Sequence, residues 1–264
     1  MLNAICFGDT LGLPQLLTCL PSGMATTLVA ASIRPQYHAA LQELAAKHSV
    51  PLLLQPRRAS AEYPAFVNKI RQLRPDLILV NSYSMLLPQE LLSIPERGAI
   101  NIHGALLPQY RGCNPMQWAI IQNETKTGVT MHYMDADFDT GDIIAQKQVP
   151  IRFEDTWLDV QQRIATATEA LLAEQIPLIL SDTNSRTLQS EEQAGYWRRR
   201  TPEDGRFDWS WKAVDIYNLI RALVHPHPGA FYLDAVGNKI VIDRFIPYDT
   251  VRLMQLELTG KVVE

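Results

Sequence analysis

The sequence predicts an α/β fold: a Rossmann-like, mostly parallel sheet with helices on both faces, plus a small β-rich C-terminal region. Three observations carry this. Apolar runs of strand length alternate with amphipathic stretches of helical period through the first half of the chain. The links between them are short, which suits parallel strands joined by helical crossovers. Beyond Leu180 the chain turns polar, then Pro-rich, so one domain is expected over residues 1–183 and a smaller one over 184–264.

Leu2–Phe7, Thr27–Ser32, Pro51–Leu54, Leu77–Val80 and Ala99–His103 read as strands. Between them, Leu13–Leu20 and Gln36–Lys47 read as helices, the latter with an apolar stripe of Ala39, Leu41, Leu44 and Ala45. Tyr63–Leu73 is amphipathic through Phe66, Ile70 and Leu73, and a short helix follows Pro88. Asn114–Gln122 is expected to start on an Asn114 cap with Pro115 in the first turn. Gly128–Met134 and Ile143–Val149 read as strands around an acidic loop. A long helix should follow Thr156, with Trp157, Val160, Ile164, Ala167 and Leu171 on one face, and Pro177 should kink or end it. In the tail, Ala213–Val224 has helical period. Ala230–Leu233, Lys239–Ile246 and Val251–Leu258 read as strands, the first two joined through Asp234–Asn238.

Composition bounds the function. With 264 residues, 47% of them hydrophobic and 20% charged, the chain can build a sizeable core. Its net charge of −4 argues against binding nucleic acid through a general positive field. No apolar run approaches the ~20 residues of a membrane span. The first residues lack a signal peptide's basic region and read as a strand. Three cysteines, Cys6, Cys19 and Cys113, without CxxC spacing fit a reducing, cytoplasmic location and read as small core residues.

The first turn, Gly8-Asp9-Thr10-Leu11-Gly12, lacks GxGxxG, and no GxxxxGK[ST] occurs, so neither a dinucleotide nor a P-loop nucleotide is expected. Asp135, Asp137 and Asp139 have the spacing of a calcium loop. However, Thr140 stands at its glycine position and Gln146 at its bidentate glutamate position, and no HExxH or cysteine cluster suggests zinc. No metal is expected.

The chemistry concentrates in Asn101-Ile102-His103-Gly104-Ala105-Leu106-Leu107-Pro108-Gln109-Tyr110-Arg111-Gly112. Asn101 and His103 lie two apart on a strand, so both side chains share one face. On the residues alone, a satisfied structural histidine and a catalytic one both remain open. Asn101-x-His103, Leu106-Leu107-Pro108-x-Tyr110-Arg111-Gly112, Gly128-Val129-Thr130-x-His132 and Asp139-Thr140-Gly141-Asp142-Ile143, in this order, resemble the 10-formyltetrahydrofolate-dependent formyltransferases. The likeness spans roughly residues 1–180. It continues more weakly through Arg199-Arg200-Thr201-Pro202-Glu203-Asp204, Asn218-x-x-Arg221-Ala222 and Pro228-Gly229-Ala230, as in the methionyl-tRNA and nucleotide-amino-sugar branches.

The resemblance implies a catalytic trio of Asn101, His103 and Asp139. Attack of a primary amine on a formyl carbon builds an oxyanion, to which an amide N–H can donate. An imidazole titrating near neutrality can carry the proton from amine to leaving nitrogen, and a carboxylate can orient that imidazole. The resemblance places 10-formyltetrahydrofolate, as co-substrate, against Met85, Leu86, Leu87, His132, Asp135, Ala136 and Asp137. Plain core packing is the other reading of Met85–Leu87 and of His132.

The methionyl-tRNA enzymes that the chain resembles carry a further C-terminal barrel and need a basic surface; 18 residues after Ile246, against the ~25 that five strands use, and a net charge of −4 make tRNA the less expected acceptor. The resemblance to the amino-sugar branch therefore implies a nucleotide-linked amino sugar as acceptor, with dTDP the expected nucleotide, and a product that enters cell-surface polysaccharide such as lipopolysaccharide O-antigen. Tyr110, Arg111, Arg199 and Arg200 are the expected substrate contacts, since arginine forks match phosphate. The alternatives are methionyl-tRNA, an amino-acid amine such as hydroxyornithine, hydrolysis of the formyl-folate, or a binding protein without activity. A homodimer through the tail is expected from the resemblance.

Overall fold

The computed structural model describes residues 2–264. The chain separates into two compact units. The first comprises residues up to Pro108, Val129–Lys147 and Ala165–Ala194; the second comprises Gln109–Gly128, Gln148–Ile164 and Gly195–Glu264. This differs from the single cut expected between 183 and 184. The chain crosses between units several times, so stretches before residue 183 pack with the tail.

The element order is β1 (Asn3–Gly8), α1 (Gly12–Cys19), β2 (Ala25–Ala31), α2 (His38–His48), β3 (Leu52–Gln55), α3 (Tyr63–Gln72), β4 (Leu77–Asn81), α4 (Gln89–Leu92), β5 (Ala99–His103), β6 (Arg111–Gly112), α5 (Pro115–Ile121), β7 (Lys126–Tyr133), β8 (Ile143–Pro150), α6 (Trp157–Leu180), β9 (Tyr196–Trp197), α7 (Ala213–Ala222), β10 (Ala230–Leu233), β11 (Lys239–Ile242) and α8 (Tyr248–Thr259). Seven strands form one sheet in the order β3-β2-β1-β4-β5-β7-β8. β3, β2, β1, β4 and β5 are parallel, and β7 runs antiparallel to β5.

Pleat alternation divides the sheet's side chains between two cores. Cys6, Leu77, Leu79, Ile100, Ile102, Val129 and Met131 pack with Leu13, Leu16, Leu41, Leu172 and Ile176 from α1, α2 and α6. The intervening Ile5, Phe7, Ile78, Val80 and Ala99 face Phe66, Ile70 and Leu91 of α3 and α4. On β5 the second face therefore carries Ala99, Asn101 and His103. The strand order reverses between β1 and β4, the switch point where open α/β sheets bind ligands. Gly8 and Gly12 sit there because a Cβ at either would lie 2.6 or 2.0 Å from the Asn81 carbonyl oxygen.

The second unit holds two small sheets, the antiparallel β10–β11 hairpin and the parallel pair β6–β9. Its hairpin link is the expected Asp234–Asn238, closed by Gly237 at φ +88° and by Asp234 N–H donating to Asn238 O. The expected strand Val251–Leu258 is instead α8. Pro247 precedes its first turn, Gly260 ends it at φ +76°, and the buried residues Val251 and Gln255 are four apart. The Gln255 amide decides the matter, donating to the Trp209 and Trp211 carbonyls and accepting from Val263 N–H. The strand expected to reach Ile246 stops at Ile242. Asn114 does not cap α5 with its side chain; at φ +58° it turns Oδ1 to accept from Arg200 N–H. α6 runs through Pro177 and stops one turn later.

Candidate active site

Asn101 and His103 lie on one face of β5, and the antiparallel register sets His132 of β7 opposite Asn101 and Thr130 opposite His103. The fourth group arrives from the loop between β7 and β8. Gly141 lets that loop fold back, since a Cβ there would lie 2.1 Å from the Tyr133 carbonyl oxygen. Gln189 Nε2 donates to the carbonyls of Asp139 and Gly141 at 2.8 and 2.7 Å, and Asp139 takes the left-handed conformation at φ +57°. Its carboxylate is thereby aimed at the strands.

The four side chains converge. Asp139 Oδ2 is 3.6 Å from His103 Nδ1, and Asp139 Oδ1 is 3.5 Å from His132 Nε2. Asn101 Nδ2 donates to Asp139 Oδ1 at 3.4 Å and lies 3.2 Å from His132 Nε2. His132 Nδ1 faces the Tyr133 carbonyl at 2.8 Å, which only accepts. That assigns the ring proton to Nδ1, and Nε2 becomes the acceptor for the Asn101 amide. His103 and His132 are buried, and Asp139 is nearly so.

Behind His103 the loop to Pro108 is tied by a group not anticipated from the sequence. Thr130 Oγ1 donates to Ala105 O and accepts from Leu107 N–H, while Gln146 Nε2 donates to Leu107 O and to Thr130 Oγ1. A polar threonine facing His103 across two strands, with Gln146 where a calcium loop needs glutamate, was the available signal. The aspartates do not converge as in a calcium loop. Asp135 Oδ1 accepts from Thr140 Oγ1 and Asp137 N–H, while Asp139 turns to the histidines. Cys6 is buried and its thiol is pushed up to about 12 by burial, which excludes it as a nucleophile at neutral pH.

The other expected contacts fall as follows. Met85–Leu87 follow β4, the strand beside β5; Leu87 is core, whereas Leu86 is exposed. Asp135, Ala136 and Asp137 are exposed on the Asp139 loop, next to an exposed Phe138. His132 lies in the hydrogen-bonded cluster, 2% exposed, not on an open surface. Tyr110, Arg111, Arg199 and Arg200 belong to the second unit.

There, Arg111 N–H and Cys113 N–H donate to Gly195 O and Trp197 O, and Trp197 stacks on Tyr110 at 5.4 Å. In this clamp the Arg111 side chain, an expected substrate contact, is fully buried and donates to Tyr196 OH. Tyr110 is nearly as buried and donates to Glu124. The three neighbouring arginines separate. Arg198 makes a two-pronged pair with Asp204, Arg199 is exposed, and Arg200 is half-buried with Nη2 donating to Asp204 O.

Residues 16–176 match a family described as formyl transferase, and residues 199–263 match the formyl transferase C-terminal domain. The fold is similar to that of a sugar N-formyltransferase from a Shewanella species, with TM-score 0.77, 23% identity, and 94% of this chain and 98% of that one covered. It is also similar to a 4-N formyltransferase from Francisella tularensis, with TM-score 0.75, 21% identity, and coverage of 93% and 98%. An N-formyltransferase from Helicobacter canadensis, in complex with folinic acid and dTDP-3-aminofucose, aligns with TM-score 0.68 and 20% identity over 85% of this chain and 81% of that one.

Proposed function

Because the chain belongs to the formyl transferase family, we propose that it moves a formyl group from 10-formyltetrahydrofolate to the primary amine of a nucleotide-linked amino-deoxysugar, with dTDP as the nucleotide. The observation that carries this reading is the convergence of Asn101, His103 and Asp139 around one point. The trio supplies an amide N–H for a developing oxyanion, an imidazole for the proton, and a carboxylate to hold the imidazole.

The folate would supply the formyl carbon and the leaving nitrogen. Leu86, exposed after β4, and Phe138, exposed on the β7–β8 loop, offer apolar cover for a flat ring, while the main chain of Met85–Leu87 and Asp135–Asp137 offers groups to read its edge. In this reading the Asn101 N–H that the long 3.4 Å contact points at Asp139 Oδ1 turns to the formyl oxygen as its charge grows. His103, oriented by Asp139 through Nδ1, takes the amine proton at Nε2 and returns it to the folate nitrogen. His132 holds Asn101 in place through Nε2.

The acceptor rests on the net charge of −4 and on the local run Arg198-Arg199-Arg200, together with what the Helicobacter enzyme is in complex with. Arg199 and Arg200 are its proposed phosphate contacts. A cytoplasmic homodimer completes the proposal. No described helix is long and apolar enough to cross a membrane, and the three cysteines are free thiols. Ile240 and Val241 are exposed on β11, which pairs only with β10 among the described residues. Light scattering reads the assembly. The reaction is tested by offering 10-formyltetrahydrofolate with dTDP-, UDP- and GDP-linked amino sugars, methionyl-tRNA and hydroxyornithine, and weighing the products. A formylated sugar nucleotide is the expected product. Formylated tRNA or hydroxyornithine alone, or folate hydrolysis with no acceptor, rejects the proposal.

A further inference from the structure

The segment after β4 crosses the end of the sheet before it enters α4. The sheet runs in the order β3-β2-β1-β4, and the carboxyl ends of these parallel strands share one edge. Ser82 starts the crossing in the left-handed conformation at φ +57°. From there every second residue meets a polar group at the end of the next strand along. Ser82 hydrogen-bonds the Asp9 carboxylate just past β1, whose Oδ1 also accepts from Leu11 and Gly12 N–H. Ser84 Oγ accepts from Arg34 Nε, past β2, at 3.2 Å. Leu86 O accepts from Nε2 of Gln55, the last residue of β3, at 3.3 Å. The spacing fits an extended chain: two strand spacings from β1 to β3 are about 10 Å, and the residues from Ser82 to Leu86 can span about 13 Å.

Gln55 is the sealed member of the three moorings, 1% exposed at the end of the apolar run Leu52-Leu53-Leu54. Both ends of its amide are used. Tyr83 OH donates to Oε1 at 2.9 Å, and burial pushes the Tyr83 phenol up, so it keeps its proton at neutral pH. The Leu86 carbonyl only accepts, which turns Nε2 towards it. The Tyr83 ring is itself set edge-on against Phe7 of β1 at 5.3 Å. The Leu86 side chain is exposed, so its backbone is held by Gln55 and not by packing of its own side chain, and Leu87 beside it enters the core.

We propose that Gln55 is a positioning residue for the folate. Through Leu86 O it fixes the main chain of Met85–Leu87, whose N–H and C=O groups read the edge of the ring, and it does not touch the ligand itself. The inference rests on the folate reading above and deepens it by naming what holds the reading edge in place. Gln55 acts on folate affinity, whereas Gln189, which holds the Asp139 loop, acts on rate.

Gln55→Met keeps the length of the side chain and removes both bonds. Tyr83→Phe removes only the hydroxyl, and Gln72→Met, on the exposed face of α3, is the control. Folinic acid affinity is measured by calorimetry on the full chain, and kcat at saturating 10-formyltetrahydrofolate with the acceptor that the wild type formylates. Backbone hydrogen exchange is followed over residues 77–92. Gln55→Met should weaken folinic acid binding by roughly tenfold, Tyr83→Phe by less and Gln72→Met not at all. Saturated kcat should stay within about twofold of the wild type, because only binding is lost. The double variant should bind no worse than Gln55→Met alone, since both substitutions break one network. Exchange should quicken over residues 85–87 and not within β4. If Gln55→Met fails to fold, Tyr83→Phe carries the same comparison of affinity against rate. Affinity and saturated kcat falling together, with exchange quickened throughout β4, would mark a general packing role and overturn the inference. Unchanged folinic acid affinity in the folded variants overturns it and leaves the folate reading standing. A wild type that binds neither folinic acid nor 10-formyltetrahydrofolate overturns both.

Discussion

His103 Nδ1 lies 3.6 Å from Asp139 Oδ2, close enough for the carboxylate to orient the ring and too long for a formed hydrogen bond. In the proposed reaction this contact would tighten once substrate is bound. Asp139→Asn keeps the shape and removes the charge. It should lower kcat by about 10²-fold while leaving the folate Kd nearly unchanged. His103→Ala and Asn101→Ala should come close to abolishing turnover, within the ~10²–10⁴-fold that such groups contribute. Single-turnover kinetics with equilibrium folate binding separate the two effects, and substantial turnover in His103→Ala rejects the trio.

Gly141 supplies a second test of the same geometry. An alanine Cβ would lie 2.1 Å from the Tyr133 carbonyl oxygen, a backbone atom that cannot yield as a side chain would. The loop must shift and carry Asp139 with it. Gly141→Ala should therefore lose activity out of proportion to stability, with kcat down about tenfold or more from a displacement of about an ångström. Activity and melting temperature measured together check this; wild-type kcat in the folded variant contradicts it.

The reach of the sequence differs from residue to residue for physical reasons. Asn101 and His103 were legible because period two fixes their common face. The position of Asp139 was not, because it depends on a loop that folds back through Gly141 and is held by Gln189, 50 positions along the chain. His132 was readable as inward-facing, yet its bond to Asn101 follows from an antiparallel register that no local pattern encodes. Arg198, Arg199 and Arg200 are indistinguishable as letters, and only packing gives them different partners. In the tail, Val251–Leu258 is apolar enough for a strand, but Gln255 satisfies two tryptophan carbonyls from a helix, so tertiary contacts override local preference.

Asp155 and Arg163 predict how the second unit fails in acid. Burial works against the Asp155 carboxylate, but the Arg163 side chain and Arg152 N–H outweigh it and hold its pKa below the usual carboxylate range. An unfolded aspartate titrates near ~3.9. The stabilisation is thus complete above about pH 4 and disappears as pH falls through the lower folded value. Asp155→Asn should cost about 1–2 kcal/mol at neutral pH, less than for a fully buried pair because solvent reaches Arg163 and screens the charge left behind. It should also flatten the acid limb of a urea-stability profile. An unchanged acid limb in the variant contradicts the assignment.

His227 predicts the opposite kind of group on the same profile. Burial comes first and the Arg200 charge second in holding its pKa below that of an ordinary imidazole. As pH falls below the unfolded value of ~6.5, the unfolded chain takes up this proton before the folded chain does. Stability is therefore full above that pH and declines until the folded pKa is passed. His227→Gln removes the titration while keeping an amide able to bond Gln117, so its melting temperature should fall less than the wild type's between about pH 7 and pH 5. Thermal melts of both chains at pH 7, 6 and 5 check this; an equal fall in the two contradicts the assignment.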